Sequence, residues 1–353
     1  MNHPACIGSL LGTAVGDALG LPYEGLSPRR GAKLFPDSTR HHLLPNRGMV
    51  SDDTEHACFT AAALIRCQGN VGAFRKSLAR SLRWWFAGLP AGVGFATARA
   101  ILKLWLGISP ARSGVHSAGN GPAMRAPILG VVLGEDTDEL KRFVKAATAI
   151  THRDPKAYQA ALAVALAAHQ SAGDDKATPE SFRVTLANLL AADDASEFLE
   201  LVALAEKSAA GGEPVSTFAA TIGSRNGISG YSFHTVPCVL QAWFRHPEDF
   251  AAGLQDIIKT GGDADTAGAI FGGISGARAH KAGIPAPWRE NIAEWPRSMR
   301  WIEALANALA DAHANPTVNT RCPRYFWPGI IVRNALFLIF VFSHGLRRLL
   351  PPY

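Results

Sequence analysis

Sustained alternation of apolar and polar residues is missing from nearly the whole chain, which leaves little from which to build a sheet. Cysteine is sparse. Cys6, Cys58, Cys67, Cys238 and Cys322 form no CxxC and no close Cys/His pair, and an odd total of five argues against a disulfide framework or a zinc site. The first residues carry no basic n-region, apolar h-region or small-residue cleavage site, so no signal peptide is expected and a cytoplasmic location is. Acidic residues are absent between Glu55 and Glu135, whereas Arg66, Arg75, Lys76, Arg80, Arg83, Arg99, Lys103, Arg112 and Arg125 all fall there. Most of these cations belong to a solvated face, with one or two available to a diphosphate. At 353 residues, 48% hydrophobic and 18% charged, disorder is excluded for most of the chain. The net charge of +6 favours anionic contacts such as nucleotide phosphates or a membrane surface, while stable nucleic-acid binding is not expected.

What is present is helical. Apolar runs of helical period, joined by Gly/Pro turns, recur over residues 7–309, and the expectation is a compact single all-α domain spanning 1–320. Gly8, Gly12, Gly16 and Gly20 make one stripe, and Gly268, Gly272 and Gly276 make another. Each helical glycine costs about 1 kcal/mol against alanine, so the two stripes predict two helices in close contact, crossing near the centre of the fold. The segment 321–353 differs: 323–328 is broken by prolines, and 334–346 is an uncharged apolar run edged by Arg333, Arg347 and Arg348. That run is shorter than the roughly 18 residues a membrane span needs. A tail helix packed on the domain or on a partner is expected, an interfacial membrane helix is the next reading, and a span the last.

The chemistry is carried by oxygen. Residues 260–277 read TGGDADTAGAIFGGISGA, placing Asp263, Asp265 and Thr266 at a helix start straight after a glycine pair. Neighbouring carboxylates near a core repel and are costly to desolvate, and a hard divalent cation offsets both effects. The alternative is a solvent-facing helix cap. Ser51, Asp52, Asp53 and Thr54 open a second apolar helix in the same way, with Ser51 able to cap it by accepting from Thr54. Two hydroxyl-plus-aspartate clusters offer enough ligands for one or two ions. Asp17 lies in GDALG, and Glu24 sits on a turn between Pro22 and Gly25, where a carboxylate can reach inward or move. The turn GNGPAMR, holding Asn120, Gly121, Met124 and Arg125, can present backbone N–H groups to phosphate. His152 in THRDP reads first as a hydrogen-bonding residue, and Tyr231 in GISGY either stacks on a base or ribose or packs.

In their order and spacing, GDALGLPYEG, SDDT, GNGPAMR, THRDP, GISGY and GGDADT resemble the ADP-ribosylglycohydrolase family, hydrolases related to the dinitrogenase reductase activating enzyme. The resemblance covers about 7–279 and implies an all-α fold with a binuclear magnesium or manganese centre. It implies that Ser51, Asp52, Asp53, Asp263, Asp265 and Thr266 hold two Mg2+ ions, with Mn2+ as the other candidate. Glu24 would then be the mobile acid near the scissile bond, and Asp53 would share the catalytic role. Asn120, Gly121, Met124, His152 and Tyr231 would line the ADP-ribose cleft. The implied substrate is an ADP-ribosylated macromolecule or conjugate. Ser51 stands where the family more often has Thr, which keeps the ligand oxygen. Some arginine-directed members carry an extra acid after the first aspartate pair, and 87–106 has none here, which argues against arginine-linked substrates. Two other readings remain open on sequence: a catalytically weak ADP-ribose-binding or immunity-type protein, and a magnesium-dependent nucleotide phosphohydrolase.

Overall fold

Two glycine stripes laid against each other set the geometry of this chain. In a computed structural model, residues 3–173, 178–315 and 317–351 are described, and every regular element among them is a helix apart from isolated bridge pairs. The helices run α1 (His3–Gly20), α2 (Pro28–Leu34), α3 (Asp52–Cys67), α4 (Val71–Ala87), α5 (Phe95–Trp105) and α6 (Pro127–Leu133). They continue with α7 (Thr137–Ala149), α8 (Pro155–Ala172), α9 (Pro179–Leu189), α10 (Ser196–Ala210), α11 (Val215–Thr221) and α12 (Ser232–Arg245). The chain closes with α13 (Phe250–Thr260), α14 (Ala264–Gly283), α15 (Ala286–Glu290), α16 (Met299–Ala314) and α17 (Gly329–Arg347).

α1 and α14 meet backbone to backbone. A methyl group added at Gly8 would stand 2.0 Å from the Gly276 carbonyl oxygen, at Gly12 2.1 Å from that of Gly272, and at Gly16 1.9 Å from that of Gly268. At Gly20 it would stand 2.3 Å from the Ala264 oxygen. As one number rises the other falls, so the helices lie antiparallel along their whole shared length. The expected crossing near the centre is therefore a continuous seam, because both stripes repeat every fourth residue with no bulky side chain to splay them. The seam brings the C-terminal end of α1 beside the N-terminal end of α14.

Around that pair α8 is buried along most of its length, from Ala157 to Ala168. Arg125 is fully buried in the same core. It donates to Ala147 O (3.1 Å) and Thr151 Oγ1 (2.5 Å) and lies 3.5 Å from His56 Nδ1, so this cation ties helices together and faces no diphosphate.

The tail helix α17 packs on the domain by one stripe, Ile330, Arg333, Asn334 and Phe337. Arg333 pairs with Glu294 deep in the protein, its Nε lying 3.1 Å from Glu294 Oε2, and it also donates to the Val50 carbonyl. Farther along, Asn334 donates to Gly88 O (2.7 Å) and His344 Nε2 lies 2.7 Å from Leu43 O. Beyond the helix, Arg348 donates to Glu24 O (2.7 Å) and Pro22 O (3.0 Å). The tail thus grips the two loops that lead into Glu24 and Ser51.

Candidate active site and metal centre

At the lower end of the seam, Asp17 organises the start of α3. Its buried carboxylate accepts from Ser51 N through both oxygens (2.9 Å each), from Thr54 N (3.1 Å) and from Thr54 Oγ1 (2.5 Å). An anion at a helix N-terminus satisfies free N–H groups and opposes the helix dipole. Burial pushes the Asp17 pKa up to about 6, against the hydrogen bonds from Thr54 and Ser51 that favour the charged form. Asp17 is the residue that sequence reasoning left without a role. Its signal was a lone charge in an otherwise apolar helix, but its partners lie 34 to 37 positions away.

Ser51 is the N-cap of α3. Its hydroxyl accepts from Asp53 N (3.3 Å), where the sequence pointed to Thr54, because Thr54 is already taken by Asp17. The same hydroxyl donates to Asp53 Oδ2 (3.0 Å). From the other end of the chain, Thr266 Oγ1 donates to that same Asp53 oxygen at 3.2 Å, across 213 residues of sequence. The two aspartate motifs therefore share one atom as a meeting point.

Asp263 and Asp265 approach through a backbone crossing that only glycine permits. Gly261 and Gly262 hold φ of +67° and +75°, and a methyl on Gly262 would lie 2.0 Å from Ile228 O. Through this crossing Gly25 N donates to Gly262 O (2.7 Å), Gly262 N to Leu26 O (2.8 Å) and Asp263 N to Ile228 O (2.7 Å). The Glu24 turn is thereby laid beside the second aspartate motif.

Asn120 reaches the same place, its Nδ2 donating to Asp263 Oδ2 (2.6 Å) and to Thr235 Oγ1 (3.0 Å). Asn120, Ala123 and Met124 also engage their backbone N–H groups inside the protein, with Gly230 O and Asn120 O, so these three are not offered to a phosphate.

The electrostatics are one-sided. Burial raises Asp52, Asp53 and Asp265 well above the usual carboxylate range, and the mutual repulsion of Asp17, Asp52, Asp53, Asp263 and Glu24 adds to it. Asp263 is raised by burial too, with the Asn120, Thr266 and Asp265 hydrogen bonds opposing. Glu24 stands at the outer edge with its side chain exposed. Surrounding protein and then the Asp263 carboxylate push its pKa up, while Arg348 draws it down.

Two oxygens, Asp53 Oδ1 and Asp265 Oδ1, are buried without any hydrogen-bond partner. Orphaned carboxylate oxygens in an all-oxygen donor set fit a hard cation in chemistry and number. Among the described residues, no three His, Cys, Asp or Glu side chains already converge on one point as a cation-holding group. The carboxylates are instead held by the hydroxyls of Ser51 and Thr266 and the amide of Asn120.

The remaining sequence candidates spread outward. His152 is buried behind the 119–121 turn, its ring 3.1 Å from the position of a methyl on either Gly119 or Gly121. Burial and the nearby Arg125 lower its pKa to about 3, which keeps it neutral. Met124 is packed in the hydrophobic core at 4% exposure. Tyr231 is half-buried, accepting from Lys156 Nζ (2.9 Å) and meeting His234 edge-on at 5.0 Å.

An all-helical architecture with paired aspartates at two helix starts is the class that this fold and site define. Residues 4–318 match the model of the ADP-ribosylglycohydrolase family, and the chain belongs to that family. It is 29% identical over 309 residues to an uncharacterized protein of Archaeoglobus fulgidus, covering 86% of this chain and 95% of that one. It is 27% identical over 298 residues to the ADP-ribosyl-[dinitrogen reductase] glycohydrolase of Rhodospirillum rubrum, covering 82% and 90%. A solved structure of an ADP-ribosylglycohydrolase-related protein complex superposes with TM-score 0.67 at 27% identity, covering 88% of this chain and 98% of the other. The tail helix α17 lies beyond the family match.

Proposed function

We propose that this chain is a metal-dependent hydrolase of the N- or O-glycosidic bond joining ADP-ribose to a protein, nucleic acid or small conjugate. The observation that carries the reading is the Thr266 to Asp53 hydrogen bond beside the two orphaned oxygens of Asp53 and Asp265. Ser51, Asp52, Asp53, Asp263, Asp265 and Thr266 are the residues that would hold two divalent ions, Mg2+ or Mn2+. Such ions, when bound, supply Lewis acidity and lower the pKa of bound water.

Cleavage breaks the bond between the anomeric carbon and the leaving group and forms a bond to a water oxygen, through an oxocarbenium-like state. Glu24, on its turn and raised in pKa, is suited to move a proton between water and the leaving group. Asp17 fixes the backbone of 51–54 and is a positioning residue. Asn120 orients Asp263, and His152, neutral, backs the turn that carries Asn120. The acid-free 87–106 segment favours serine- or nucleic-acid-linked substrates over arginine-linked ones.

The test is incubation of the purified chain with Mg2+ and serine-, arginine- and nucleic-acid-linked ADP-ribose. Free ADP-ribose is expected, falling by about 10²-fold or more with Asp263→Asn or with chelator. Tight binding without turnover would point to a binding or immunity-type protein, and release of AMP or phosphate to a nucleotide phosphohydrolase; either overturns the proposal.

A further inference from the structure

The second feature of this molecule lies away from the carboxylates. Twenty-one large hydrophobic side chains are exposed among the described residues; six lie between Trp84 and Leu106 and twelve between Val318 and Leu350, leaving Val184, Leu204 and Trp295 elsewhere. Edge-on ring contacts of Trp84 with Trp105 (6.3 Å) and with Trp327 (6.2 Å) join the two stretches into one surface. Scattered apolar residues are ordinary, but a continuous apolar face marks a surface that something covers.

α17 makes up much of this face and is turned inside out. Its Arg333, Asn334 and His344 point to the domain and are bonded there, as is Arg348 just past its end. Its opposite side presents Ile331, Val332, Leu336, Ile339, Phe342 and Leu346, exposed by 48 to 65%. At 1.5 Å per residue that side extends for about 24 Å.

The two stretches that form this face carry cations only, and Glu24 lies beside Arg348 just past the end of α17. Neither 56–134 nor 312–353 contains an Asp or Glu. Arg83 lies over the Trp105 ring at 5.8 Å, and Arg347 closes the far end. Next to Trp84 and Trp327 a cavity of about 840 Å3 opens, with Arg66, Lys76 and Arg80 in its wall and no carboxylate. A volume of that size accommodates a small amphipathic anion.

We infer that this face docks on an anionic lipid bilayer, with α17 lying in the plane of the interface. Apolar side chains of α17 enter the acyl boundary, Trp84, Trp105 and Trp327 sit at headgroup level, and the surrounding cations meet lipid phosphates. The inward polar stripe holds the domain above the membrane and opposes a span, which would strip Arg333 and Asn334 of their partners. A second copy of the chain would meet the same cations with like charge, which disfavours self-pairing on this face.

Co-sedimentation of the intact chain with vesicles tests this, using phosphatidylcholine alone and phosphatidylcholine with about a third phosphatidylglycerol. Binding to the anionic vesicles is expected, weakened severalfold in high salt, with zwitterionic vesicles about tenfold poorer. Leu336→Glu with Phe342→Glu should lower binding at least tenfold while melting temperature is unchanged, since both side chains are exposed. Arg347→Glu, which leaves the apolar face intact, should lower it about fivefold or more. Equal sedimentation of the double variant, or no preference for anionic vesicles, overturns the inference. So does a dimer in sedimentation velocity that the double variant dissociates without any vesicle binding, which would assign the face to a second copy. Recovery only by detergent from cell membranes would assign a span.

Discussion

Among the described residues α1 and α17 are the two helices long and apolar enough, by length and composition, to cross a membrane, yet the protein treats them in opposite ways. α17 qualifies because its helix starts at Gly329, ahead of the 334–346 run. Of the apolar stretch of α1, 89% is buried, against 28% for α17. Hydrophobic content does not separate them; side-chain size along one stripe does. α1 carries glycine at every fourth position and closes backbone to backbone on α14. α17 has no such small-residue stripe, so it meets the domain through side chains, the apolar Ile330 and Phe337 together with the polar Arg333, Asn334 and His344. The first helix is held by backbone-to-backbone fit, the second by two buried apolar side chains, hydrogen bonds and one buried ion pair.

The sharpest way to break this comparison is to make the same substitution in both helices. Gly16→Ala places a methyl 1.9 Å from the Gly268 oxygen, which is backbone and cannot rotate away. The seam must part along its length. A loss above about 3 kcal/mol is expected in chemical denaturation, beyond ordinary overpacking because no side chain can give way. Gly345→Ala in α17 meets nothing within 4 Å and should stabilise by up to about 1 kcal/mol through helix propensity alone. If the two changes prove equal, the seam is not what holds α1.

Next in size is the ion pair that stands in for shape in α17. Arg333→Leu leaves Glu294 buried and unpaired, and removes the donor to Val50 O, one residue before the Ser51 cap. Removing one partner of a buried pair typically costs about 3–5 kcal/mol, part of which local opening of the tail relieves. The expected outcome is faster hydrogen exchange in 329–347 and a stability loss of about 2–3 kcal/mol. Paired replacement with Glu294→Leu should recover most of the stability, since a buried pair gives little net stabilisation over apolar packing.

The two clusters of the candidate site are legible because the residues within each are local in sequence. The hydroxyl and aspartates of 51–54 and 263–266 announce themselves by adjacency, and glycine stripes announce the helices that carry them. What adjacency does not encode is which distant groups meet. Asp17 could not be assigned because its acceptors serve backbone N–H groups at 51 and 54, and backbone donors leave no trace in residue type. The side-chain bond from Asn120 to Asp263 spans 143 residues, a separation that the sequence alone does not connect. Met124 looked like part of a glycine-rich turn, but the turn's closing residue falls on the core side. In the tail, Arg333 and Arg348 edge the apolar run in sequence, which leaves their direction open. They face inward because carbonyl oxygens of Val50, Pro22 and Glu24 wait there, and an arginine with fixed acceptors is better buried than a leucine facing unpaired carbonyls.

The smallest effect expected from the comparison is a pH response confined to α17. His344 lies against the domain with Nε2 2.7 Å from Leu43 O, its ring 6.0 Å from that of Phe35, and with Arg348 and His42 as the charged and titratable neighbours facing it. Burial lowers its pKa below the ordinary value of 6.5, with Arg348 and His42 adding and the Leu43 hydrogen bond opposing. A group whose folded pKa is depressed takes up its proton more readily when released, so unfolding of the tail binds protons. The stability it supports is complete above about pH 6.5 and declines as pH falls from there through the folded value. Protection of 329–347 against hydrogen exchange, corrected for intrinsic rates, should therefore drop modestly between pH 7.5 and 5.5, by less than the roughly 1 kcal/mol of one neutral hydrogen bond. His344→Gln should flatten that dependence while α1, whose buried Asp17 has its pKa raised to about 6 and so responds in the opposite sense as pH falls, keeps the same protection in both variants. A loss of protection of equal size in α1 would mean that acidification loosens the whole domain, and that the two helices are not held by different forces.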